Sequence, residues 1–233
     1  MRDDFLTDHN ASPLNPLPGV VWVLILAVAG IEVVLSAAGF GLIGGAQGVG
    51  WRMAAIQEHG FSSGLQHWML ETRRFPPDTL ARYLTFAFVH GAPMHAVLSV
   101  VMLAAMGKML VPRLGTARFL VLALGVPVLA AMVFGLVVGQ DRLGWLFGAM
   151  PMAFALVGAF TWLRWQEAPD AAARRRAFFP IAVLLAARLG FGLLAEAGPT
   201  WVADVSAFAF GLALTAGALG PGSWARTWAR LRG

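Results

Sequence analysis

Long apolar runs separated by short polar ones dominate the chain. The first, GVVWVLILAVAGIEVVLSAAGFGLIGG from Gly19, follows a leader carrying Asp3, Asp4, Asp8, Pro13, Pro16 and Pro18. A cleaved signal peptide has a basic start and a shorter apolar core, so this run predicts a retained spanning helix. From about Gly45 to Tyr83, charges mix with Trp51, Phe61, Trp68 and Phe75. Aromatics beside charges suit the headgroup region, which predicts short interfacial helices there. Further spans are expected at about Pro93–Leu110, Ala117–Val138, Pro151–Trp165, Ala177–Ala195 and Trp201–Leu219, separated by RLGTAR, GQDRLGW, QEAPDAAARRR and EAGPT. The expected fold is an all-α polytopic membrane protein, a six-transmembrane-helix bundle with an interfacial first loop. One membrane domain would cover 19–220, between an N-terminal leader, 1–18, and a basic tail, 221–233.

Composition narrows the class. Of the 233 residues, 58% are hydrophobic and 12% charged, against roughly 25% charged in a soluble domain. An ordinary soluble enzyme is excluded. The absence of cysteine removes disulfides, thiolate nucleophiles and cysteine metal sites. The net charge of +5 could suggest a nucleic-acid surface, but the basic residues are almost all Arg and lie between apolar runs. Topology explains them better, and no nucleic-acid partner is expected. With six spans, Arg2, Lys108, Arg113, Arg118, Arg164, Arg174 to Arg176, Arg226, Arg230 and Arg232 share one side, opposed by Arg52, Arg73, Arg74, Arg82 and Arg142. The positive-inside rule then places both termini in the cytoplasm. Arg-over-Lys usage with abundant Ala, Gly and Leu suggests a bacterial inner membrane. No internal repeat, inverted pair of broken helices, P-loop or dinucleotide fingerprint is present, and neither a cofactor nor a metal is expected.

Chemistry-bearing residues cluster in three places. The segment ARYLTFAFVHGAPMHAVLSVVMLAAMGKMLVPRLGTARFL carries Arg82, Tyr83, His90, His95, Ser99, Gly107 and Gly115; WLFGAMPMAFALVGAFTWLRW carries Gly148, Phe154 and Gly158; and VADVSAFAFGLALTAGALG carries Gly211. Together these resemble the rhomboid family of intramembrane serine proteases. That family has a Trp-Arg-Tyr-type entry, a His, a second His five residues on and an Asn four after that. A Gly-x-Ser-Gly helix and a base His followed three residues later by Gly complete its pattern. Here Ala81 stands at the Trp position, Ser99 at the Asn position and Val111 at an acidic one. In the same register Met150 takes the nucleophile position, Pro151 that of the following Gly, and Phe208 that of the base. The resemblance covers about Ala81 to Gly217.

The substitutions bear directly on chemistry. As the resemblance describes it, proteolysis needs a Ser hydroxyl activated by a His on a facing helix, with donors for the oxyanion. A thioether is no hydroxyl, and a phenyl ring accepts no proton. Pro151 removes a backbone N–H, and Ser99 is shorter than Asn. Loss of such groups removes several orders of magnitude of rate, so no rhomboid-type proteolysis is expected. Ala207, Gly211 and Thr215 recur every four residues, a face that would bring Met150 against Phe208 as a sulfur–aromatic contact of about 0.3–1.5 kcal/mol.

The polar remnant admits several readings. His90, His95 and Ser99 would line a retained polar cavity or simply bond between helices. Five residues turn a helix through about 500°, so one helix carrying both His90 and His95 would face them differently, against metal binding. A substitute Ser99–His95 dyad would lack an orienting partner. Glu32 and Arg188, inside the first and fifth spans, would form a conduit or client site, a buried ion pair, or two separately bonded charges. The expected function is that of a pseudoprotease. Gly148, Phe154 and the residues at positions 90, 95, 99, 150 and 208 would form a site for transmembrane segments of other membrane proteins, in quality control, sorting or complex assembly. The expected partners are those segments and the lipid bilayer. The rivals are an active rhomboid protease with unconventional residues and an accessory subunit of a larger membrane complex.

Overall fold

A computed structural model describes residues 17–139, 144–186 and 198–220. The leader up to residue 16, the basic tail, Arg188 and the second half of the expected fifth span lie outside the described residues.

Helix α1 (Gly19–Gly39) opens the chain. Four short helices follow: α2 (Gly45–Gly48), α3 (Trp51–His59), α4 (Ser63–Thr72) and α5 (Pro77–Thr85). The stretch expected to carry short helices therefore does so. Next come α6 (Pro93–Leu114), α7 (Thr116–Val138, with a π-helical stretch at Val121–Gly125) and α8 (Met150–Glu167). Beyond these lie α9 (Ala171–Arg176), α10 (179–186) and α11 (Trp201–Leu219). A two-stranded antiparallel ribbon joins β1 (Phe61–Ser62) to β2 (Trp145–Leu146), pairing Phe61 with Leu146.

Among the described residues, α1, α6, α7 and α11 are long and apolar enough to cross a membrane. Their outward faces carry exposed Val23, Leu26 and Val33 on α1, Met94, Val97 and Val101 on α6, and Leu136 on α7. In water such a surface would be an aggregation liability; in lipid it needs no cover. The run expected as the fourth span behaves differently. Helix α8 is buried on every side from Pro151 to Ala159, so its apolar residues face protein rather than lipid.

Backbone proximity explains how α8 is enclosed. Its most extensive contact is with α11. At their crossing a Cβ on Gly158 would run into the Phe208 carbonyl oxygen, and one on Gly211 into the Ala155 carbonyl oxygen. Only hydrogen side chains allow that approach, the same physics as other small-residue crossings in membranes. Opposite, Gly107 of α6 lies where a Cβ would sit 2.5 Å from Val21 of α1.

The first loop is tied down at several points. Arg82 donates to the carbonyls of Gln57 (2.6 Å) and Gly60 (3.3 Å). Tyr83 donates to Gln66 at 2.8 Å, and Gln66 in turn donates to the Met132 carbonyl of α7 at 3.1 Å. The Phe61 ring packs on Tyr83 at 4.7 Å and on Phe134 of α7 at 6.2 Å.

The crossing makes a direct prediction. Gly211→Ala places a methyl against the Ala155 backbone and is expected to destabilise the bundle by about 1–3 kcal/mol. Gly30→Ala, where a Cβ meets nothing within 4 Å, is expected to be neutral or slightly stabilising. Thermal unfolding of both variants in mild detergent measures the difference.

Candidate functional site

The site begins with a charge in α1. Glu32 is buried, and Arg52 of the loop pairs with it. Arg52 of α3 bonds both carboxylate oxygens, at 2.6 and 2.9 Å. Ser36, one turn beyond Glu32, donates to the same carboxylate at 2.6 Å. The guanidinium also donates to the His90 carbonyl at 2.8 Å. A planar fork with five donors can serve both partners at once, which a lysine could not do. Arg52 thereby clamps the first spanning helix to the residues that lead into α6.

His90 extends the chain of contacts. Its Nε2 accepts the Ala149 N–H at 3.1 Å, which requires the ring proton to sit on Nδ1. Burial pushes the imidazole down from 6.5 to about 4, against a smaller opposing pull from Glu32. The neutral ring is therefore the form that holds Ala149. Gly148, just before, has φ +93, and its N–H donates to the Phe86 carbonyl at 2.8 Å. A side chain there would be strained in a left-handed backbone and would press on the His90 ring. Gly148 and His90 together set the turn from which α8 starts.

Beyond that turn lies a cavity of about 190 Å³, lined by His90, His95, Phe147, Gly148, Met150, Pro151, Thr200 and Asp204, among others. His90 and His95 meet there because α6 begins only at Pro93; His90 lies on the preceding loop, so helical spacing does not separate the two rings. Among the described residues no three His, Cys, Asp or Glu side chains gather as metal ligands. Ser99 lies fully buried beneath Met150, its hydroxyl 3.9 Å from the thioether sulfur. That hydroxyl donates to the His95 carbonyl at 2.9 Å, a back-bond within α6 that leaves the His95 ring uninvolved.

Phe208 is not where the sequence register places it. Its carbonyl abuts Gly158, eight residues along α8 from Met150, or about 12 Å of helix rise. Asp204, one turn earlier on α11, reaches the cavity with Met150. The expected Met150–Phe208 pairing is corrected accordingly. Anchoring on Gly211 as the small residue after the base position causes the shift. Ala207 lies fully buried three residues after Asp204, and Gly211 makes its close contact with α8 one turn further on. Two signals were available in the sequence: an acidic residue inside an apolar run, and the four-residue spacing of Ala207 and Gly211. Phe154 is fully buried in α8 and does not line the cavity. Arg188 lies outside the described residues.

A multi-pass helical membrane protein with paired histidines at the mouth of its second long helix and a glycine turn opening a buried helix defines a narrow class. Residues 77–220 match the Rhomboid domain family. The chain belongs to the rhomboid family, a serine protease family. A search of curated proteins finds no significant match.

Met150 brings a thioether to this cavity, and Asp204 a carboxylate. A carboxylate can take a proton, but Met150 has none to give. The arrangement can accept hydrogen bonds and hold a polar group.

Two predictions follow from the polar chain. Arg52→Met, which strands the Glu32 carboxylate in a spanning helix, is expected to cost about 3–5 kcal/mol. Glu32→Gln should cost less, because Arg52 keeps the His90 carbonyl, and the double variant less than the sum; unfolding in detergent gives the cycle. For His90, the folded pKa lies below the unfolded one, so the unfolded state binds more protons between them. Its stabilisation is full above about pH 6.5 and is lost as pH falls to about 4, amounting to about 3 kcal/mol. Melting curves of His90→Gln against pH should lack that slope.

Proposed function

We propose that this rhomboid is a pseudoprotease that binds transmembrane segments of other membrane proteins without cutting them, in quality control, sorting or complex assembly. The observation that carries the reading is Met150. It stands at the nucleophile position, covers the buried Ser99, and shares a polar cavity with His90, His95 and Asp204. The reading includes a six-span bundle in a bacterial inner membrane with both termini in the cytoplasm, consistent with the distribution of Arg. A site that keeps its shape and polar lining but lacks the nucleophile can still recognise a helix that unwinds at the cavity. The specific cellular role rests on analogy with non-catalytic relatives in this fold family.

Two measurements test it. Co-expression with a promiscuous transmembrane reporter should leave the reporter intact. A photo-crosslinker at His95 should capture membrane proteins that one at lipid-facing Leu26 does not. Reporter cleavage that disappears in Ser99→Ala or His95→Ala but persists in Met150→Ala would establish an unconventional protease instead. One stoichiometric companion, captured in place of a spectrum of clients, would establish an accessory subunit.

A further inference from the structure

A second, larger cavity lies at the opposite end of α8, away from the histidines. It has a volume of about 480 Å³ and sits where α8 ends, α9 passes and α10 begins. Phe160, Ala177 and Phe179 contribute apolar lining, and Arg164 and Arg176 line it as well. Glu167 also lines it, but two guanidiniums already share that carboxylate, Arg164 at 3.6 Å and Arg113 at 3.7 Å. Arg176 forms no ion pair among the described residues. The cavity thus combines a net positive charge with apolar lining.

Its level in the membrane is marked independently. The Arg113–Glu167 pair brings the end of spanning helix α6 beside the end of α8. Next to it Trp162 and Trp165 stack at 4.9 Å, and Arg174 lies over the Trp165 ring at 5.2 Å. Stacked indoles capped by arginine are the side chains that anchor a protein at the headgroup layer.

We propose that this cavity is a binding site for one anionic phospholipid, the phosphodiester bridged by Arg164 and Arg176 and the glycerol and upper acyl chains lying on Phe160, Ala177 and Phe179. The complementarity is of charge at the arginines and of hydrophobicity at the apolar lining. Arginine suits a phosphodiester better than lysine because its fork bonds two oxygens together. The site is independent of whether the chain cuts or holds its clients.

The test is native mass spectrometry of the full chain in mild detergent, titrated with phosphatidylglycerol or with phosphatidylcholine of the same acyl chains. Wild type should bind one phosphatidylglycerol about tenfold or more tighter than phosphatidylcholine. Arg164→Gln with Arg176→Gln should abolish the preference. Arg118→Gln with Arg175→Gln removes the same charge outside the cavity and should leave most of it. Ala173→Leu, which fills the cavity and keeps every charge, should weaken the specific binding as much as the first pair. Equal losses in the two charge-matched pairs, or full binding in Ala173→Leu, would overturn the proposal. So would displacement of the lipid by millimolar inorganic phosphate, which would show that the phosphate group alone is read.

Discussion

The structure depends on one close approach, the crossing of α8 and α11 at Gly158 and Gly211. With backbones nearly touching, α8 can be surrounded by protein on every side from Pro151 to Ala159. A helix so enclosed has no lipid face, and its amino terminus is held at a fixed depth inside the bundle. Everything that reaches the cavity does so relative to that terminus. Met150 opens the helix, His90 holds the turn before it, and Asp204 arrives from the neighbour that the glycines draw in. A larger side chain at either glycine would push α11 outward and carry Asp204 away from Met150.

A second constraint ties the loop to this core. Hydrogen bonds join the Glu32 carboxylate to the Arg52 guanidinium and that guanidinium to the His90 carbonyl, and the ring of the same His90 holds the Ala149 N–H. Hydrogen bonds to charged groups are worth more than neutral ones, and a stranded charge in a spanning helix costs several kcal/mol. Each link therefore matters most through the penalty of breaking it. These links specify one arrangement of α1, the loop and the start of α8 where apolar packing alone would tolerate sliding.

Much of this was legible in the sequence. Hydropathy marks the four long apolar helices, because lipid imposes a length and a composition that no soluble helix needs. The stretch after the first span mixes aromatic and charged residues and folds as short helices. The spacing of His90, His95, Gly148 and Gly158 carries the family. What was not legible lies between elements. Arg52 reads as one more loop charge until the fold brings it to Glu32, twenty positions earlier in the chain. The separation of His90 from His95 assumed a continuous helix, and Pro93 starts that helix only after His90. The sequence register points to Phe208 rather than Asp204 because Gly211 and Ala207, one turn apart, are both small. A shift of one turn preserves the small-residue pattern while exchanging an acid for a phenyl ring.

That exchange alters what the cavity is. With Phe208 in place, both halves of the family's chemistry would be replaced by apolar groups, and the site would be filled core. With Asp204 there instead, the lining carries two imidazoles, a hydroxyl and a carboxylate beside the Met150 thioether. Polar groups at this depth are costly unless they meet water, each other or a ligand, and ionisable ones inside a membrane domain mark binding and transfer sites far more often than packing. His90, His95 and Asp204 are such groups, gathered around Met150 at the start of a helix that protein encloses from Pro151 to Ala159.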